Sequence, residues 1–281
     1  MAAETTLGRL VWFNVDQGVE VEHITFCQKL LMAGVGTAMP NAPKTSDVFK
    51  RACTRALIAL GSGDYKIIPS GTDNYSVWRN IVHVGETVAV VKFNKTTEEV
   101  SVDEADDTDP NVGFLCGQIT DYCASHSTML TDYSVREHIR GVVEKEFQAV
   151  RVKQGLYFVL DRFDDQMDAL QAAVNDLGGD PIHMWSVNVE WNDEQSDMVT
   201  TAVIGTLMAD ASDLRSELKT IENADKSISK NRFSDLDAEY NRLRDQYGLF
   251  KTVVTGEIAV VEEVLSLAAH DLMTVMGRIR V

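Results

Sequence analysis

The last third of the chain constrains the fold most. From Leu236, apolar residues recur in steps of 4, 3, 4, 3 and 4 through Tyr240, Leu243, Tyr247 and Phe250 to Val254. One more step of 4 leads to Ile258, and the pattern resumes at Val261, Leu265, Ala268, Leu272, Val275 and Ile279. A repeat of about 3.5 residues keeps a narrow apolar seam on one side of a helix, and the extra step is a stutter that relaxes the supercoil. An upstream arm carries Val203, Leu207, Ala211, Leu214, Leu218 and Ile221, and no proline follows Pro181. The polar stretch 222–231 lies between the arms, and Ser234 with Asp237 reads as an N-cap with an acidic residue three positions on. The pattern predicts a coiled-coil-like antiparallel helical hairpin over 196–281. At about 1.5 Å per residue its second arm would be on the order of 65 Å long. Leu236, Tyr240, Leu243, Tyr247 and Phe250 are its candidate interaction residues, because the flanking positions are polar enough to project. The competing reading packs the same helices onto the rest of the chain.

Residues 1–192 read as one mixed domain, with a possible sub-boundary at 103–112. Positions 10–15 form a continuous apolar strand, and 21–35 and 46–60 carry helical spacing, the second run stopped by Gly61. Strands are expected at 65–68, 75–84, 87–93 and 98–102, with a hairpin turn at 94–97. Helices follow at 114–129 and after the capping box of Ser134 and Glu137. A β-α-β unit comes next. Its strand is 156–160, its helix carries Phe163, Met167, Leu170, Val174 and Leu177, and its second strand alternates over 183–191. The fold class is α+β, a mixed N-terminal domain followed by a long helical hairpin.

Charge narrows the function classes. With 43 acidic and 26 basic residues the net charge is −17 and the pI near 4.7. A protein that neutralises nucleic-acid phosphates needs the opposite balance, and an anionic membrane surface repels this one. A basic protein partner suits it. The 44% hydrophobic content excludes a disordered chain. No run of about 18 apolar residues could span a bilayer. An export signal is not evident, and four cysteines without close pairing fit a reduced, cytoplasmic setting.

Chemistry-bearing clusters are few. Cys116, Cys123, His126 and His138 are the nearest to a metal or nucleophile group, but their spacing misses the usual zinc pairing, and helical phase places both thiols on one core-facing side. Asp107, Asp109 and Asn111 open like a calcium loop within the acidic run Asp103, Glu104, Asp106, Asp107 and Asp109. Val112 and Gln118 then stand where that loop needs Gly and Glu. Gly34-Val35-Gly36-Thr37 and Gly61-Ser62-Gly63 are ordinary turns rather than phosphate loops. Lys44, Lys50, Arg51 and Arg55 are the densest basic group, and Lys50, Arg51 and Arg55 are candidate anion ligands. His183, Trp185 and Trp191 share a strand face that could be a ligand platform or could pack under the C-terminal helices. No catalytic signature is present, and no metal or cofactor is implied.

The segments Asp47-Val48-Phe49-Lys50-Arg51-Ala52 and Gln154-Gly155-Leu156-Tyr157-Phe158-Val159, with a helix ending in Leu177-Gly178-Gly179 and a helical C-terminus, resemble an uncharacterised family borne by phages and plasmids. Leu156 and Leu160 stand where such families write Val and Pro. The resemblance implies a phage or mobile-element origin and no activity. The resulting expectation is a non-enzymatic, self-associating or partner-binding protein that serves in assembly or inhibits a basic host protein. The alternative is a small-ligand- or metal-binding enzyme with its site near Cys116, Cys123 and His126.

Overall fold

The computed structural model describes residues 6–36, 39–70, 74–81, 84–94, 97, 99–103, 106, 108–224, 227–252 and 258–279. The chain divides into two compact units, one made of 1–19, 26–39 and 132–281, the other of 20–25 and 40–131. The expected boundary between 192 and 196 therefore runs inside the first unit. The sub-boundary expected at 103–112 lies inside the second.

The second unit opens with β2 (Glu20–Glu22), after β1 (Thr6–Val15) of the first. Helix α1 (His23–Met32) begins in the second unit and ends in the first. Helix α2 (Thr45–Leu60) follows, and Gly61 ends it at φ 67° with its N–H bonded to Leu57 O and Ile58 O. Glycine suits that left-handed position because it has no Cβ. Strands β3 (Tyr65–Pro69), β4 (Asn74–Ile81), β5 (Val84–Phe93) and β6 (Val100–Asp103) then form an antiparallel meander. Helix α3 (Pro110–His126) and the short strand β7 (Met129–Thr131), paired with β2, complete it. Phe49, Ala52 and Cys53 of α2 and Leu115, Cys116 and Ile119 of α3 close over Val77, Ala89, Val91 and Phe93 of the sheet.

The first unit is a four-stranded antiparallel sheet with helices. After α4 (Asp132–Gly141) a π-helical turn, Val142–Glu146, leads to β8 (Val150–Lys153) and β9 (Leu156–Leu160). Helix α5 (Asp164–Asn175) and strand β10 (Ile182–Glu190) complete the expected β-α-β unit, with β1 inserted between its strands in the order β10-β1-β9-β8. Period-2 alternation sorts the sheet faces. Leu7, Phe158, Leu160 and Val189 pack against the C-terminal helices. On α5, Gln171 bonds Ser186, while Arg9 of β1 pairs with Asp164 and Asp168.

The C-terminal third is three helices, α6 (Asp193–Asn223), α7 (Lys230–Phe250) and α8 (Ala259–Met276). The long second arm is therefore two helices. Its stutter coincides with the interruption, and Val254 lies outside the described residues. A helix whose apolar stripe shifts phase can turn to keep both halves on one core, whereas a straight rod cannot. The cap of α7 is Ser229, which accepts the Arg232 N–H at 3.2 Å, rather than Ser234. Leu236, Leu243, Tyr247 and Phe250 are buried in one core with α6, α8 and the sheet, and Tyr240 packs against its margin. The seam residues are thus occupied within the chain. Among the described residues no helix is long and apolar enough to cross a membrane.

Candidate functional site

On the sheet of the first unit, β1 and β10 carry aromatic residues that the helices do not cover. Trp12 and Trp185 are cross-strand partners and stack at 6.1 Å, and the His183 ring lies 4.6 Å from Trp185. Trp185 is 38% exposed, Val187 54% and Trp191 51%. This patch stands out because large aromatic groups left in water cost burial energy unless something else covers them. The sequence around it is one-signed. Residues 182–198 hold Glu190, Asp193, Glu194 and Asp197 and no Lys or Arg. The free edge of β10 is partly closed, because the Asn175 amide bonds both the N–H (2.7 Å) and the O (3.2 Å) of Met184. Such a guard disfavours strand addition and leaves the side-chain face as the contact surface.

A second feature of the same unit is a polar cleft of about 500 Å3 between the π-helical turn, β8 and helices α6 and α7. Arg242 of α7 organises its floor. It forks onto Glu239 through Nε (2.9 Å) and Nη2 (2.5 Å), reaches Asp210 at 3.3 Å, and donates to Gln246 Oε1 at 2.8 Å. Gln246 is only 2% exposed, and its amide donates to Ala149 O at 2.9 Å. That bond ties α7 to a strained stretch of backbone. Gln148 holds φ 50°, a left-handed value rare outside glycine, directly after the π-helical turn. Such a residue costs about 1–3 kcal/mol and persists only where its surroundings enforce it, most often near sites that use it. Glu144, on the turn, lines the cleft, and its side chain makes no hydrogen bond among the described residues. Burial raises its pKa against the opposing pull of Arg140, Arg151 and Arg242.

The residues singled out from sequence meet a different fate. In the second unit Arg51 and Arg55 approach Glu20 Oε1 at 3.4 and 3.5 Å, and Lys50 pairs with Asp47. Tyr122 donates to the same Glu20 oxygen at 2.6 Å, His126 Nε2 lies 3.2 Å from Oε2, and Arg55 sits over the Tyr122 ring. Burial and the Glu20 bond push the Tyr122 hydroxyl up to about 12. The two arginines of the expected anion site thus share one carboxylate from the chain itself. Burial pushes the thiols of Cys53 and Cys123 up to about 12 and about 11, and Cys116 upward as well. Buried protonated thiols are poor ligands and nucleophiles, as the core phase of Cys116 and Cys123 implies. Among the described residues no group of three or more His, Cys, Asp or Glu could hold a metal ion.

In the acidic loop, Asp109 caps α3 by accepting the Asn111 N–H at 3.0 Å. Its second oxygen accepts from Tyr65 at 2.6 Å and Arg79 at 2.9 Å. Asp106 accepts from Thr108 and Asp103 pairs with Lys92, while Glu104 and Asp107 lie outside the described residues. Thr37 and part of the turn at 94–97 also lie outside them.

A family model described as a family of unknown function, DUF6744, matches residues 84–281. The chain belongs to that family. The matched span contains the cleft residues, β10 and Trp191, and leaves Trp12, Glu20, Arg51 and Arg55 outside. No curated protein and no solved structure matches the chain. Glu144, Arg242 and Gln246 drew no attention from sequence. Arg242 reads from sequence as part of a solvated helix face, Gln246 as a polar residue beside the α7 seam, and Glu144 as one more surface carboxylate.

Proposed function

We propose that the protein is a non-enzymatic docking protein that binds a positively charged, partly apolar protein segment through Trp12, Trp185, Val187 and Trp191. The supporting observation is the exposure of Trp185 and Val187 on β10 and of Trp191 just after it, beside four carboxylates and no Lys or Arg in residues 182–198. Trp faces attract guanidinium and ammonium groups, and the carboxylates add steering toward a basic partner. The net charge of −17 favours the same partner sign. The contact surface moves from the helical seam to the sheet, because the seam side chains already serve the core. A reduced cytoplasmic setting belongs to this reading, as does a host protein as target, which the resemblance to phage- and plasmid-borne proteins implies.

The test is site-specific photo-cross-linking in host lysate, with the reactive group at Val187 and, as a control, at the exposed Ile58 of the second unit. The expected product forms at Val187 alone and joins a basic segment of one protein. With that protein purified, Trp185→Ala and Trp191→Ala should each weaken binding about tenfold or more, the range of interface anchors. An acidic contact segment, or affinity indifferent to both substitutions, would refute the proposal.

A further inference from the structure

The cleft of the first unit is lined by charges of both signs. Lys145, beside Glu144 on the π-helical turn, and Arg151 of β8 have side chains that make no hydrogen bond or ion pair among the described residues. The side chains of Asp213 on α6 and Asp235 on α7 make none there either. Arg242, which reaches from α7 to α6, is engaged with Glu239 and Asp210. Leu214, Leu236, Ala149 and Val150 add an apolar strip to the same lining.

We propose that this cleft binds a small aliphatic zwitterion, its anionic group facing Lys145 and Arg151 and its ammonium group facing Asp213 and Asp235. The lining selects this class by exclusion as well as by fit. A dianion would place its second charge against the aspartates, and a diamine would place one ammonium against Lys145 and Arg151. Among the described residues no aromatic lines the cleft, so a nucleobase or other flat ring finds nothing there to stack on. A volume of about 500 Å3 suits a ligand of a dozen or so heavy atoms with its bound water. The strained Gln148 segment, pinned by Gln246, holds Glu144 and Lys145 at the rim without relying on the ligand. The guanidinium of Arg151 offers a planar fork for a carboxylate or a phosphate, so both head groups belong to the shared chemistry. This site is distinct from the aromatic strip, and its failure would leave the docking proposal intact.

Calorimetric titration of the full chain tests it with γ-aminobutyrate, ε-aminohexanoate and phosphoethanolamine, against glutarate and cadaverine as single-sign controls. Saturable one-to-one binding of at least one zwitterion, without comparable binding of either control, is expected. Arg151→Ala and the paired change Asp213→Asn with Asp235→Asn should each weaken it about tenfold or more, Arg151→Lys should restore part of it, and Trp185→Ala should leave it unchanged. These charged positions are on the protein surface, and an unchanged circular dichroism spectrum would separate loss of binding from loss of fold. Equal binding of glutarate or cadaverine, indifference to the substitutions, or no saturation with any of the three zwitterions would overturn the proposal.

Discussion

Each unit of the molecule holds a cluster of arginines around carboxylates, and the two clusters differ in whether the charges are used up. In the second unit Glu20 receives Arg51, Arg55, Tyr122 and His126 at once. In the first unit Arg242 is equally saturated, but Lys145, Arg151, Asp213 and Asp235 around the same cleft are not. The same residue types therefore make a structural brace in one place and an open polar cavity in the other. What separates them is geometry. Glu20, on a short β-ribbon, is reached from two helices at once, whereas Lys145, Arg151, Asp213 and Asp235 line the cleft without an ion pair among the described residues.

The largest expected effect tests whether α7 belongs to a core at all, on which the open cavity depends. Leu243→Asp would bury an unpaired carboxylate among α6, α8 and the sheet, at a cost above about 4 kcal/mol. Near-ultraviolet circular dichroism should then lose its tertiary signal in the first unit. A folded variant that had lost only an association would instead make the seam an intermolecular surface and remove one side of the comparison.

A smaller effect sharpens the contrast between closed and open clusters. Glu20→Ala leaves two guanidiniums and the Tyr122 hydroxyl without their acceptor and should cost about 1–2 kcal/mol by urea denaturation, discounted for partial exposure. Arg151→Ala, at the open cluster, should change stability by less than about 0.5 kcal/mol. Equal costs would mean that the cleft charges hold the fold together as much as those of the knot do.

The smallest effect concerns Glu144. Its folded pKa is raised, mainly by burial, so the carboxyl favours the folded state below its unfolded pKa and opposes it as pH rises through the folded value. Glu144→Gln should therefore leave the acid-side stability little changed and stabilise the protein at pH values of about 7–8, by no more than about 1 kcal/mol. Thermal melts of both chains across that range measure it. A destabilisation at about pH 7–8 would instead place a strong positive partner on Glu144.

Legibility followed the range of the interactions. The Gly61 stop, the run of four strands and the β-α-β unit were readable because capping, alternation and helical stripes act within a few residues. The helix from the Ser134 capping box begins slightly earlier, at Asp132, and that expected at 21–35 is preceded by the three-residue β2. The apolar seam of 236–279 correctly marked buried faces but not what buries them. A heptad stripe states only that one side of a helix shuns water, and a sheet plus two other helices satisfies it as well as a second coiled strand. Arg51 and Arg55 looked available for an anion because their counter-charge, Glu20, lies 31 residues before Arg51.

The amino-acid sequence by itself determined the mixture of helices and strands, the apolar faces, the core phase of Cys116 and Cys123, and the net charge of −17. Those properties are sums or short-range periodicities. Only the tertiary structure decided that the C-terminal helices share a core with strands from the N-terminus and the middle of the chain, that Arg51 and Arg55 meet Glu20, and that Trp185 and Trp191 stay exposed. It also decided that unpaired charges of opposite sign face one cleft. Each of those outcomes depends on which distant segments meet, and Coulomb forces and burial act on the distance in space that folding sets, not on the spacing along the chain.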